Sequence, residues 1–368
     1  MGEPSHNPSD PPPDGRRPPR RQRYRGTHPV RFHEKYKEHS PEAYPGIHEH
    51  VLAQGRTPAG AHVPIMVAEV LAALALQPGD VVADATLGHG GHAAAMLRNI
   101  LPGGRLVGFD VDAAELDRTA SRLRAEFPGA AMTFHRGNFA GLDQPLRTAG
   151  LAGYDAVLAD LGVSSMQIDN PDRGFSYKHD GPLDMRMDVR LKRTAADLLA
   201  TMDEGELAAA LKDLGDEPDH GRIARAVADA RIRRPLRTTG ELADLVLATK
   251  GLTRAAWARR DESRRGETHP AARTFQALRM LVNDELGTLR QMLRTVPWCL
   301  RPGGRLAILT FHRGEEEVVR AALTEARAAG QYEATSQEPT RPSKEELRAN
   351  PRCQSARLHW ARCAREGT

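Results

Sequence analysis

The chain is predicted to be an α/β protein, a mostly parallel sheet flanked by helices and interrupted by an inserted all-helical domain. Three observations carry this reading. Between Val81 and Asp160, short β-branched runs alternate with stretches of helix formers, the pattern of parallel strands joined by helices. A glycine turn, Gly88-His89-Gly90-Gly91, stands between the first strand and the next helix, where open α/β sheets hold nucleotides. From residue 166 to about 267 the strand pattern is lost, and Pro302-Gly-Gly-Arg-Leu-Ala-Ile-Leu309 then restores turn plus strand.

Residues 1–50 are rich in Pro and Arg and cannot bury enough apolar surface to fold alone. Seven arginines between Arg16 and Arg31 suit either phosphate contacts or a solvated tail. Val67, Val70, Leu71 and Leu74 then share one side of a helix, and Pro78-Gly79-Asp80 delivers the chain to a strand at Val81–Ala83. A run of helix formers from His92 stops near Pro102-Gly-Gly104. Arg105–Phe109 is the second strand, Leu116–Leu123 a helix, Met132–Phe134 a third strand and Tyr154–Ala159 a fourth. The long polar loop from Leu161 to Asp188 is of a kind that is usually functional. Helical segments follow at Ala195–Leu199, Glu206–Leu214, Arg222–Ile232 and Thr239–Ala248, with Thr239 expected to cap the last. His269-Pro270 opens a long helix from Ala271 to about Arg294, before the fifth strand ends at Thr310-Phe311-His312.

The chemistry is written at the strand ends. Gly88-x-Gly90-Gly91 does not complete the dinucleotide fingerprint, and Asp84 precedes the glycines, where a carboxylate would repel a diphosphate. It suits a cationic ligand with an amino group, such as S-adenosyl-L-methionine. Asp110, ending the second strand, is placed to accept hydrogen bonds from ribose hydroxyls. Bulk properties agree with an ordinary soluble protein of about two domains: 40% hydrophobic, 27% charged, net charge +4. Three cysteines without a CxxC pair argue for a reducing, cytoplasmic compartment and against disulfides. Cys353, His359 and Cys363 match no zinc spacing, so no metal is expected. No apolar run approaches the ~18 residues of a membrane span. From Arg222 to Arg265 there are twelve Lys and Arg against five Asp and Glu, which fits a nucleic-acid surface or a solvated helix face.

Six words together resemble the RsmH-type (MraW) ribosomal RNA small-subunit methyltransferases. They are Asp84–His92, Asp160-Leu-Gly-Val-Ser-Ser165, Arg173-Gly-Phe-Ser-Tyr177, Asp180-Gly-Pro-Leu-Asp-Met-Arg-Met-Asp188, Arg222-Ile-Ala-Arg-Ala-Val227 and His269–Leu278. The resemblance implies a class I S-adenosylmethionine-dependent methyltransferase fold and methylation of a cytosine N4 in the decoding region of small-subunit (16S) RNA. It divides the chain into an extension (1–50), a first core part (51–165), a helical insertion that recognises RNA (166–267), a second core part (268–335) and a C-terminal tail (336–368). It further implies a donor pocket lined by Gly90, Gly91, His92, Asp110, Phe139, Asp160 and Gln167, beside the Asp84 and Gly88 of the turn.

Backbone N–H groups at the helix start can hold the donor's carboxylate, and Phe139 offers adenine an apolar face. The exocyclic amine of cytosine is a poor nucleophile, because its lone pair is delocalised into the ring. Asp160, or a carbonyl in Leu161–Ser164, can accept an N4–H bond and localise that pair; Asp160 contacting only the donor is the alternative. Arg173, Phe175 and Tyr177 are placed to clamp an unstacked base or to pack the loop. Arg222, Arg225, Arg231, Arg233 and Arg234 are the phosphate candidates, with the small-subunit RNA or the 30S particle as partner. The chain departs from the family at Met166, at Arg313-Gly314-Glu315-Glu316, around Gly215–Pro218 and in its N-terminal extension. The competing functions are an amino-methyltransferase for another RNA or DNA base, and an assembly factor without turnover.

Overall fold

The computed structural model describes residues 64–259 and 268–364. The arginine-rich extension and residues 51–63, 260–267 and 365–368 lie outside them. The described chain enters through α1 (Val67–Leu74) and β1 (Val81–Asp84). It continues through α2 (Gly91–Ile100), β2 (Arg105–Asp110), α3 (Ala113–Glu126) and β3 (Ala131–Arg136). Then α4 (Asp143–Ala149) returns the chain to β4 (Tyr154–Asp160). These strands are parallel in the order β3-β2-β1-β4, so the direction of progression reverses between β1 and β4. Such a reversal opens a crevice at the carboxyl ends of the two strands.

Burial explains why β1 reads as an unbroken apolar run. Val81 and Ala83 face one core with Val107, Val157 and Ile308, while Val82 faces another with Leu106, Leu158 and Leu309. Side chains alternate across a strand, and both faces of this sheet are covered. Asp155 ties the strand starts together, accepting from Val81 N–H at 2.7 Å and from Arg301 at 2.7 Å.

Beyond β4, α5 (Ser165–Asp169) and the long loop lead to α6 (Ala195–Thr201), α7 (Glu204–Gly215), α8 (His220–Arg233), α9 (Thr239–Thr249) and α10 (Arg254–Ala258). Leu199, Leu211, Ile223, Val227, Leu242 and Val246 build a third core apart from the sheet. The cap of α9 is Thr238, not Thr239. Thr238 exchanges hydrogen bonds with Glu241 in a reciprocal box that requires Glu three residues on. Thr239 is buried one position later and donates to the His179 carbonyl at 2.8 Å.

The single helix expected from Ala271 to about Arg294 is two, α11 (Ala272–Asn283) and α12 (Glu285–Cys299). Asp284 separates them in a left-handed conformation, φ 45°. Phe275 and Leu278 of α11 enter the helical core, whereas Leu289, Met292 and Val296 of α12 enter the sheet core. Apolar periodicity reports that a face is buried, not against what, so it ran through the break.

β5 (Leu300–Thr310) lies parallel to β4 and is followed by α13 (Arg313–Ala328), β6 (Tyr332–Thr335), α14 (Lys344–Ala349) and β7 (Arg357–Cys363). The expected tail from residue 336 onward is corrected here. β7 enters the sheet antiparallel between β5 and β6, with Leu358 and Ala361 fully buried.

Candidate donor and target site

The turn after β1 is held from several sides. Asp84 is 2% exposed and accepts from Thr86 N–H at 3.1 Å. Thr86 in turn accepts from Asp160 N–H at 2.6 Å, which joins the ends of β1 and β4. Gly88 N–H donates to Asp110 Oδ2 at 2.9 Å, and Thr119 of α3 donates to the Gly88 carbonyl at 2.6 Å. Glycine is required for space as well as for the turn. A Cβ at Gly90 would stand 2.6 Å from Thr119 Cγ2, and one at Gly91 2.8 Å from the Pro64 ring. Gly90 also sits at φ 65°, which few other residues adopt. Among the described residues no side chain caps α2. Its first-turn N–H groups are therefore suited to an anionic ligand group.

His92 occupies the first turn of α2 and is 6% exposed. Its Nε2–H donates to the Ile65 carbonyl at 2.9 Å, and Nδ1 faces Asp160 Oδ2 at 3.5 Å. Burial lowers its proton affinity, so the ring stays neutral.

Three carboxyl groups converge here, with no Lys or Arg paired to them among the described residues. Burial pushes Asp160 up to about 7, and the neighbouring Glu315 adds to the rise. Burial raises Asp84 to about 6 against the opposing influence of His92. Asp110 reaches about 6 by burial, despite backbone donors at Asp112 and Gly88. Asp160 Oδ1 is buried with no hydrogen-bond partner among the described residues. A buried unpaired acceptor calls for a ligand.

The remaining donor residues sit around this centre. Phe139 begins a short 3-10 turn after β3 and packs half-buried against the sheet core. Gln167 folds back on Ser164, accepting from its N–H at 3.0 Å. Its first visible role is to shape the turn after β4.

The side chains considered for RNA are largely engaged within the protein itself. Phe175 is 7% exposed within the helical core, so its ring cannot stack on a base without leaving that core. Arg173 binds Asp112 at 2.5 Å and the carbonyls of Arg186 and Met187 at 3.1 Å, which pins the loop to the start of α3. Tyr177 stacks on His269 with centroids 4.2 Å apart and meets Phe275 edge-on. On α8, Arg231 is spent on the Leu199 and Met202 carbonyls. Arg222, Arg225 and Arg234 face solvent but pair with Asp219, Asp229 and Glu241. Arg233 is exposed and makes no ion pair among the described residues. Part of the basic charge is therefore paired with nearby acids.

Sequence reasoning missed Thr86, Thr119, His312 and Glu315. His312 caps α13 by accepting Glu315 N–H at 3.3 Å, and Glu315 accepts Phe311 N–H at 2.8 Å. The signal was available, since an acid three residues after a capping side chain marks a helix start.

S-adenosylmethionine fits these residues. It carries a carboxylate for the start of α2, positive charge for a cluster of unpaired acids, and a ribose diol for Asp110. Among the described residues no metal-binding group of acids, histidines or cysteines occurs, and no helix is long and apolar enough to cross a membrane.

Comparison with known proteins leads to the same place. The chain is 43% identical over 345 residues to ribosomal RNA small subunit methyltransferase H 1 of Lachnoclostridium phytofermentans, covering 93% of this chain and 92% of the relative. It is 42% identical to the protein of that name from Agathobacter rectalis, covering 93% and 97%. With ribosomal RNA small subunit methyltransferase H of Symbiobacterium thermophilum it shares 41%, covering 81% and 95%. The profile of the MraW methylase family matches residues 59–364, and the chain belongs to that family.

Proposed function

We propose that this chain methylates the exocyclic N4 of a cytosine in small-subunit ribosomal RNA, with S-adenosylmethionine as donor. The methylase activity and the donor are those of its family, and the RNA is the substrate class named for its relatives. One observation carries the choice of an amine: the buried, unpartnered Asp160 Oδ1 at the crevice.

S-adenosylmethionine supplies an electrophilic methyl carbon on a sulfonium. Everything else falls to the chain. The start of α2 and Asp110 bind and orient the donor. Asp160, ionised, accepts an N4–H hydrogen bond and draws the amine's electron pair out of ring conjugation. It then takes the proton that N4 sheds. No covalent enzyme intermediate is needed, so the rate comes from placement and fixed charge. We assign docking of the folded RNA to the helical insertion, with the exposed Arg233 and the partly paired Arg222, Arg225 and Arg234 giving screened phosphate contacts.

The test uses the full chain, labelled donor, and small ribosomal subunits from a strain lacking its own enzyme of this family. Digestion and mass spectrometry should yield N4-methylcytidine from the decoding region. Label in another base or position would favour a diverged target, in keeping with the Arg313-Gly314 departure. Donor binding without transfer would favour the assembly-factor reading.

A further inference from the structure

We propose that Glu315 is a positioning residue that acts through Asp160, its charge holding Asp160 ready to take the proton from the target amine. The inference rests on the reading of Asp160 given above.

The fold places the two carboxyl groups at the ends of neighbouring strands. β4 and β5 run in register, with Asp160 beside Leu309 and Leu161 N–H bonded to the Leu309 carbonyl at 3.0 Å. The chain beyond each strand end therefore turns out over the same crevice. Gly162, at φ 102°, keeps the turn after β4 close to the Phe311 ring, 3.6 Å from where a Cβ would stand. Glu315 returns from the first turn of α13 toward this point, and only 3% of its side chain is exposed.

Helix capping accounts for only part of its setting. A capping glutamate commonly lies at the surface, with its charge screened by water. Glu315 is instead buried, with Oε2 taking Phe311 N–H at 2.8 Å and Oε1 facing His312 Nε2 at 3.1 Å. His312 Nδ1 accepts Glu315 N–H at 3.3 Å, which keeps the ring beside the carboxylate. Arg279 of α11 lies within the field of Glu315, but its guanidinium is committed to Glu285 at 2.7 and 2.8 Å. The Glu315 carboxyl is thus fixed in place, and it adds to the rise in the proton affinity of Asp160.

The other titratable groups facing Asp160 are His92 from α2 and Asp84 from β1. His92 is neutral and Asp84 is a further acid, so neither offsets Glu315. Like charges in a shared buried site raise proton affinity. A carboxylate of ordinary acidity would be a weak acceptor for the amine's proton; one near neutrality is matched to the task. The nitrogen lone pair forms the new bond to the methyl carbon, the carbon–sulfur bond breaks with its electron pair kept by sulfur, and N4 sheds its proton to Asp160. The N–H electron pair stays on nitrogen, and the neutral Asp160 carboxyl later releases the proton to water.

The experiment measures single-turnover methylation of small subunits from pH 5.5 to 9 at saturating donor. Wild type, Glu315→Gln, Glu315→Asp and Asp160→Asn are compared, with melting curves for each. Glu315→Gln keeps the acceptor for Phe311 N–H and removes the charge. Its acid limb should move down by about 1 pH unit, with the rate at high pH lowered and donor KM unchanged. Glu315→Asp, which retains the charge, should stay near the wild-type midpoint. An unmoved midpoint in a folded Glu315→Gln overturns the proposal. An Asp160→Asn enzyme of full rate instead overturns the reading beneath it. If Glu315→Gln does not fold, carboxyl 13C titration of the wild type, with Asp160 assigned by Asp160→Asn, decides. A two-step curve of a coupled pair supports the proposal, and a single step in the ordinary carboxylate range overturns it.

Discussion

The crevice around the turn at Asp84–His92, with Asp110 and Asp160 from the neighbouring strand ends, and the word Asp180–Asp188 both gather acids, yet their carboxylates are held in opposite ways. Around the turn, Asp84, Asp110 and Asp160 are driven toward protonation by burial and have no Lys or Arg partner among the described residues. In the other word every acid is satisfied. Thr238 and Gly240 N–H hold Asp180 below its ordinary range. Burial works against Asp184, but the Arg186 fork wins and lowers it, and Arg190 does the same for Asp188. Asn283 donates to the Met185 carbonyl at 2.7 Å and accepts from Met187 N–H at 2.7 Å, fastening the word to α11. The most distinctive word in the sequence is thus a scaffold, and the plainer glycine turn is the place prepared for a cation.

That contrast can be broken most sharply at Asp110. Asp110→Ala removes charge-assisted bonds to the ribose, which should weaken donor affinity by about 10- to 100-fold. Calorimetry reads this directly, and unchanged affinity would remove the ribose assignment. In the scaffold the effect should fall on stability instead. Arg186→Ala leaves Asp184 unpaired and is expected to cost about 2 kcal/mol in denaturant unfolding, with donor affinity intact. Loss of donor binding in a folded Arg186→Ala would merge the two regions.

The smallest effect is in pH. Asp84, Asp110 and Asp160 have folded-state values raised above those of the unfolded chain, so between about pH 4 and 7 the folded protein binds more protons. Their contribution to stability without ligand therefore falls as pH rises through that window. The Asp180, Asp184 and Asp188 contributions have the opposite sign, being lost as pH falls below the ordinary carboxylate range. Affinity for the cationic donor should rise a few-fold from pH 5.5 to 8 as the turn's acids ionise, while that for the uncharged thioether product rises less. Equal slopes for the two ligands would mean that the acids do not sense the sulfonium.

How much of this was legible in the sequence depended on range. β1, the glycine turn and Asp110 were readable, because strand, turn and acid lie within short windows governed by local sterics. The Asp284 break was not, because the same apolar face continues from one core to another. β7 was missed because its short alternating run finds its partners in β5 and β6 only after folding. The contacts of Arg173, Arg231 and Phe175 within the fold were hidden for a related reason. A basic or aromatic letter does not disclose whether a carbonyl or a core has already claimed it.

The position of β7 bears on the protein's behaviour in concentrated solution. β5 runs for eleven residues, and left bare it would offer a row of unpaired N–H and C=O groups to any passing strand. β7 covers it and passes the exposed edge to β6, which is only four residues long. Short edges are poor templates for association between molecules. Damage to β7 should therefore first show as concentration-dependent clumping, before any fault in methyl transfer.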